Sequence, residues 1–251
     1  WDTKENMLSE YTGVSSRIAR DWCSKLGLTK PTEPLSKQYE DAKKNLINKK
    51  TKRFIVSWCQ SNSEINEKML DSMELYSKEI KAEILIIPGK YSFNLFEVKQ
   101  EGHTWHSRTV KYLNATRHDI CETLTYCGDV KILPTAKYPL SGMNSLSGMN
   151  SAIYGSPKIH LESHAVLHGD DAKILVTTGA ISKQNYSDSK SGQHGEHYHQ
   201  YGFVIVELQD DKIFHMRQVE VNKNGSFDDL FYHVENGKTR SQMNRNDNEQ
   251  K

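Results

Sequence analysis

No run of about 18 apolar residues, the length a helix needs to cross a bilayer, occurs in this sequence, so no membrane partner is expected. There is no glycine-rich Walker loop and no dinucleotide fingerprint, which sets aside nucleotide-driven motors and redox enzymes. Cysteine is sparse: four residues, Cys23, Cys59, Cys121 and Cys127, with no Cys-x-x-Cys pair. That usage fits reduced thiols of a cytoplasmic protein rather than a disulfide scaffold. No signal peptide is visible, and the opening residue is Trp1 rather than methionine, so further sequence is expected ahead of it. A net excess of either charge is missing too, with 33 Lys+Arg against 32 Asp+Glu. The balance conceals an asymmetry. Residues 1–55 carry twelve basic and seven acidic side chains, and the remainder carries 21 and 25. A basic head on a mildly acidic body suits a polyanion, whose phosphates would give salt-dependent affinity.

The most informative segment is Asn6 onward to Leu28. Leu8, Val14, Ile18, Trp22 and Leu26 fall at helical spacing, Gly13 and Gly27 mark turns, and Ser15 stands where an N-cap belongs. Ser16, Arg17, Arg20 and Lys25 fall on or near the outward side. Gly13-Val14-Ser15 followed by Ile18 and Trp22 resembles the helix-turn-helix of DNA-binding regulators and recombinases. The resemblance covers about a tenth of the chain and implies a second helix that enters the major groove of double-stranded DNA. Ser16, Arg17, Arg20 and Lys25 are then the expected DNA contacts. The plainer reading of the same residues is an ordinary helical hairpin.

Four parts are expected: a helix-turn-helix module at 1–30, a basic helical linker at 31–53, an α/β domain at 54–235 and a disordered polar tail at 236–251. The linker contains Lys49-Lys50-Thr51-Lys52-Arg53. Residues 54–58 and 82–88 are apolar and β-prone, and between them Ile65, Met69, Leu70, Met73 and Ile80 trace a helical stripe. Strand, helix and strand of these lengths make a βαβ unit with parallel pairing. Asn66 falls at the helix start, beside the sheet edge where open α/β sheets place ligands. Helices are expected within 104–113 and 117–126, a short strand at 129–133 and a polar loop at 134–151. Strands follow at 158–166, 173–178, 203–208 and 212–219, the last two forming a hairpin about Gln209-Asp210-Asp211. The expected fold class is α/β: a small helix-turn-helix module, then a sandwich-like α/β domain with a βαβ start and late antiparallel strands.

The densest set of donor side chains lies between Asp188 and His199, where His194, Glu196, His197 and His199 crowd together after Asp188 and Lys190. On a strand, His197 and His199 would share one face, the spacing of a two-point metal site. With His168 and Asp170 from an upstream group they would hold a divalent metal, Mg²⁺, Mn²⁺ or Zn²⁺, and acidify a bound water for attack on phosphorus. His194, Lys190 and Asp188 are the expected catalytic side chains, Lys190 facing the phosphate charge that develops. The competing reading is a solvated loop rich in histidine and glycine. Other candidates are weaker. Ser141-Gly142-Met143-Asn144-Ser145 recurs as 147–151 and would cradle a phosphate with backbone N–H groups. Cys59 would be an activated thiolate, or more simply a buried structural thiol. Gln60, Ser61 and Asn62 would line the same cleft, and His103, His106 and Arg108 would contact phosphate or a base.

The βαβ opening, the strand ending Ile86-Ile87-Pro88-Gly89 and the His197-Tyr198-His199 segment ahead of a hairpin are similar to the outline of calcineurin-like metallophosphoesterases. That family places Asp-x-His after its first strand and Gly-Asp after its second. Here those positions read Ser57-Trp58-Cys59-Gln60 and Gly89-Lys90, and no Gly-Asn-His follows. The leading expectation is a phage or mobile-element protein of the host cytoplasm, acting on duplex DNA as a metal-dependent endonuclease or nickase. The alternative is a non-catalytic DNA-binding regulator whose α/β domain dimerises or binds a ligand.

Overall fold

The computed structural model describes residues 37–48, 50–91, 102–165, 172–235 and 237–241. The segment expected to form a helix-turn-helix, with Ser16, Arg17, Arg20 and Lys25, lies outside them, as do His168 and Asp170. The chain divides into two compact units, Trp1–Leu35 with Asn94–Gly102, and Ser36–Phe93 with His103–Lys251. Everything below concerns the second.

Its central strand, β1 (Arg53–Gln60), is buried on both faces from Phe54 onward. Burial on two faces is why it reads as an unbroken apolar run. Phe54, Val56 and Trp58 pack on one side with Leu124, Ile153, Val176 and Val204. Ile55 and Cys59 pack on the other with Met69, Leu70 and Met73. The latter three belong to α2 (Glu67–Glu79), whose N-cap Asn66 accepts the Met69 N–H at 3.1 Å. A short helix, α1 (Lys37–Ala42), precedes β1, and its Tyr39 stacks on Trp105 at 5.8 Å. β2 (Glu83–Gly89) pairs parallel to β1 in register from Phe54↔Glu83 to Gln60↔Gly89, as the βαβ pattern implies.

Sheet one has the order β2-β1-β8-β9, with β8 (Gly202–Leu208) antiparallel to both β1 and β9 (Phe214–Glu220). Sheet two has the order β3-β4-β5-β7-β6. Its middle strands, β4 (Leu124–Cys127), β5 (Ser151–Tyr154) and β7 (Lys173–Thr177), run parallel. β3 (Arg117–Cys121) and β6 (Leu161–His164) are antiparallel edges. The two sheets share the core around Trp58, while Ile132 and Leu140 cover the far side of sheet two against Tyr154 and Leu175. A small antiparallel sheet, β10 (Phe227–Asp229), β11 (Tyr232–Glu235) and β12 (Lys238–Ser241), lies beside α2 over sheet one. The body is thus an α/β sandwich, with a parallel start and late antiparallel strands.

Several local expectations need correction. Residues 117–126 form no helix: β3 and the start of β4 run there, because Leu124 and Tyr126 face the inter-sheet core. Residues 129–133 form no strand, since Ile132 is used as a cover for sheet two. Residues 238–241, expected in a disordered tail, pair with β11. Within 104–113 the only helical turn is of the 3-10 type, Ser107–Tyr112. Among the described residues no helix is long and apolar enough to cross a membrane.

Candidate functional site

Chain leaving β1 at its C-terminal end enters a polar cluster. Gln60 and Ser61 are fully buried, and Asn62 takes a left-handed backbone at φ 52°, which asparagine tolerates better than most residues. The Asn62 side chain accepts the Thr104 N–H at 2.9 Å, and the Asn62 carbonyl accepts from the Asn185 amide at 2.7 Å. Ser61 Oγ donates to the Tyr91 carbonyl at 3.1 Å and lies 2.8 Å from His103 Nδ1. The pairing looks like a nucleophile and its base, but a hydroxyl with no exposed surface ties three segments together instead of meeting a substrate. Gln60 Nε2 donates to the Asn185 carbonyl at 2.6 Å, and its Oε1 is buried without a hydrogen-bond partner.

His199 closes the cluster. Its Nε2 lies 2.8 Å from the Ser182 carbonyl, which only accepts, so Nε2 carries the proton. Nδ1 then accepts from the Tyr186 hydroxyl at 2.7 Å. Burial lowers the imidazole pKa to about 4, against a smaller opposing pull from the Ser182 carbonyl. Burial likewise pushes the Tyr186 phenol up. Both ring nitrogens of His199 are therefore committed, and the ring stays neutral at pH 7.

The other donors of the histidine-rich stretch are placed elsewhere, because the stretch is a helix and not a strand. α3 (Lys190–Tyr198) starts at Ser189, whose hydroxyl accepts the Gly192 N–H at 3.1 Å. Gly192 and Gly195, one turn apart, are buried, and a methyl group on either would strike Ser187 or Thr135. Those two glycines let the helix lie flat. On a helix, residues two apart point in different directions, so His197 and His199 do not share a face. His194 and His197 instead flank Tyr198, at 4.6 and 4.9 Å between ring centres. Asp188, Lys190 and His197 are exposed. Among the described residues no group of three or more His, Cys, Asp or Glu side chains can hold a metal ion. His197 and His199 thus do not form the two-point pair expected of an Mg²⁺, Mn²⁺ or Zn²⁺ site, and the other two expected ligands, His168 and Asp170, lie outside the described residues.

The strand-end positions singled out by the metallophosphoesterase outline carry a different solution. The Trp58 indole fills the space between Gly89 and Gly155, where added methyl groups would sit 2.0 and 2.7 Å from indole atoms. Lys90 turns its ammonium 3.9 Å over the Tyr39 ring. Cys59 is buried, and burial pushes its thiol pKa up to about 12, which makes it inert. Arg108 is held by Asp71 at 2.6 Å, with Glu67 and Glu74 within 3.6 Å, so it offers no free charge to a phosphate.

The repeated serine-glycine loop is also inverted relative to expectation. Its Asn144 and Gly148 carbonyls both point at the buried Lys173 ammonium, each at 2.6 Å. A ring of carbonyls holds a cation, not a phosphate. Two features escaped sequence reasoning. His160 and His164 each place Nε2 3.1 Å from the Glu162 carboxylate between them, a trio that the period-two spacing of a strand made findable. Arg217 bridges Asp229 and Glu207, and Glu207 also binds Arg53 at 3.1 Å. No local pattern announces that network, since its members lie far apart in sequence.

No family model matches the chain. It is similar to Protein A1 of Escherichia phage T5, with 29% identity over 252 residues that cover 91% of this chain and 45% of that protein. The chain thus spans less than half the length of this phage relative. Among solved structures, Vps29 of Chaetomium thermophilum aligns over 76% of this chain and 98% of that one, at 9% identity and a TM-score of 0.35. That likeness is too slight to assign a fold family.

Proposed function

We propose that this chain is a non-catalytic DNA-binding protein of phage type, contacting duplex DNA through its basic N-terminal region while the α/β body serves as scaffold for a partner or ligand. The observation that carries the non-catalytic part is the polar cluster at the end of β1. Gln60, Ser61, Asn62, His103, Asn185, Tyr186 and His199 are tied to one another or to backbone by hydrogen bonds, with Gln60 and Ser61 fully buried. Phosphodiester hydrolysis needs charge stabilisation at an accessible phosphate, and the buried Gln60 and Ser61 are closed to one. The DNA-binding part is supported by the basic bias of residues 1–55 and by the resemblance of Ser16, Arg17, Arg20 and Lys25 to a recognition helix. Similarity to a phage protein supports the phage type alone.

A metal-dependent nickase is the second reading. In its favour, His194 and His197 stand one turn apart beside Tyr198, after the exposed Asp188 and Lys190. Incubation of the chain with supercoiled plasmid and Mg²⁺ or Mn²⁺ separates the two. Retarded but uncut plasmid is the expected result. Nicking that is abolished by EDTA and by His197→Ala would establish the nickase.

A further inference from the structure

The opposite end of sheet one, where β1 and β2 begin, holds a groove of about 690 Å³ walled by Lys50, Lys52, Arg53, Lys81 and His215, with Glu207 as the carboxylate on its wall. Three separate pieces of chain meet there: the approach to β1, the turn between α2 and β2, and the β8–β9 hairpin. Glu207 is neutralised from both sides, by Arg53 Nε at 3.1 Å and Arg217 Nη1 at 3.0 Å. The neighbouring acids Glu83 and Asp210 remain charged but are each held in a hydrogen bond. Glu83 accepts from the Thr51 hydroxyl at 3.0 Å, and Asp210 is held below the usual carboxylate range by the backbone N–H groups of Lys212 and Ile213. Lys50, Lys52 and Lys81 form no ion pair within 4.0 Å among the described residues, although the Lys52 charge acts on Asp210 from farther away.

Lys81 adds an independent observation. It sits just past the C-cap of α2 at φ 53°, a left-handed position where glycine is the unstrained choice. A lysine held at a strained position marks its side chain as wanted there. No Phe, Tyr or Trp lines the groove, so it lacks the stacking platforms that select single strands.

We propose that this groove is a second phosphate-backbone contact for duplex DNA, built into the α/β body and distinct from Ser16, Arg17, Arg20 and Lys25. The inference rests on the DNA-binding reading above. The test measures the affinity of the full chain for a fluorescent duplex of about 30 base pairs across a NaCl series, because each phosphate contact adds about 0.9 to the slope of log K against log salt. Three proteins are compared: wild type, Lys50→Gln/Lys52→Gln/Lys81→Gly, and Arg17→Ala/Arg20→Ala. The groove triple variant is expected to lose about two to three units of slope with thermal stability unchanged or raised. Lys50→Arg/Lys52→Arg should keep the wild-type slope. An unchanged slope in the triple variant, with binding lost in Arg17→Ala/Arg20→Ala, overturns the groove and leaves the DNA-binding reading standing. Wild-type binding that is absent or indifferent to NaCl overturns both. Loss of binding to phosphatidylserine vesicles, with duplex affinity intact, would make the partner a membrane surface and also overturn the proposal.

Discussion

Trp58 shows how single side chains decide what this scaffold can do. An indole wedged between Gly89 and Gly155 fills the strand-end volume with apolar bulk. Adding a methyl group at Gly155 would place it 2.5 Å from Ile87 and 2.7 Å from Trp58. Gly155→Ala is accordingly expected to destabilise the body by about 1–3 kcal/mol, read from the urea midpoint. His199 makes a pH prediction. Its pKa is lowered from 6.5 to about 4, so the unfolded chain binds the proton first as pH falls. Stability is therefore fully present above pH 6.5 and is lost between 6.5 and 4. Between pH 6.5 and 5 the loss should be about 1.5 kcal/mol in urea titrations, and His199→Gln should flatten that dependence. A pH-independent wild type would show that the ring is not buried as described.

At the scale of elements, what was legible followed from period and capping. The unbroken apolar runs of β1 and β2 and the stripe on α2 identified the βαβ unit because each is buried by its own pattern. α3 was missed because its helical face is made of Gly192 and Gly195, which carry no hydrophobic signal and depress helix propensity. Its one readable sign was Ser189, a good N-cap. Ser189→Ala should cost about 1 kcal/mol and loosen α3 toward faster amide exchange. β3 and β4 form a tight hairpin whose second strand also pairs with β5, and burial of Leu124 and Tyr126 between the sheets outweighed local preference. The network of Arg217, Asp229, Glu207 and Tyr76, which joins β9 to β10, β8 and α2, was hidden because Tyr76 comes from a distant part of the chain. Arg217→Met leaves the almost fully buried Asp229 without its cation and should destabilise by about 3–5 kcal/mol in chemical denaturation.

For the whole molecule, charge is distributed along sheet one. Its C-terminal end is a buried, hydrogen-bonded cluster in which Gln60 Oε1 is left unpartnered, and its N-terminal end is a basic groove. Gln60, Ser61 and Asn62, expected to line a cleft just past β1, lie at that edge, but Gln60 and Ser61 are fully buried there. Sequence reasoning assigned the chemistry to histidines that the helix then scattered, because side-chain direction depends on secondary structure and composition alone does not fix it. The groove was visible only as a lysine-rich linker, since Lys81 and His215 arrive from distant parts of the chain. The most direct measurement is the affinity of the full chain for a short duplex at 50 and 200 mM NaCl with Mn²⁺ present, the DNA then being recovered on a denaturing gel. A fall of about 10²- to 10³-fold in affinity, as for some five phosphate contacts, with every strand recovered at full length, is the expected result. Salt-independent binding, or shortened strands, would contradict it.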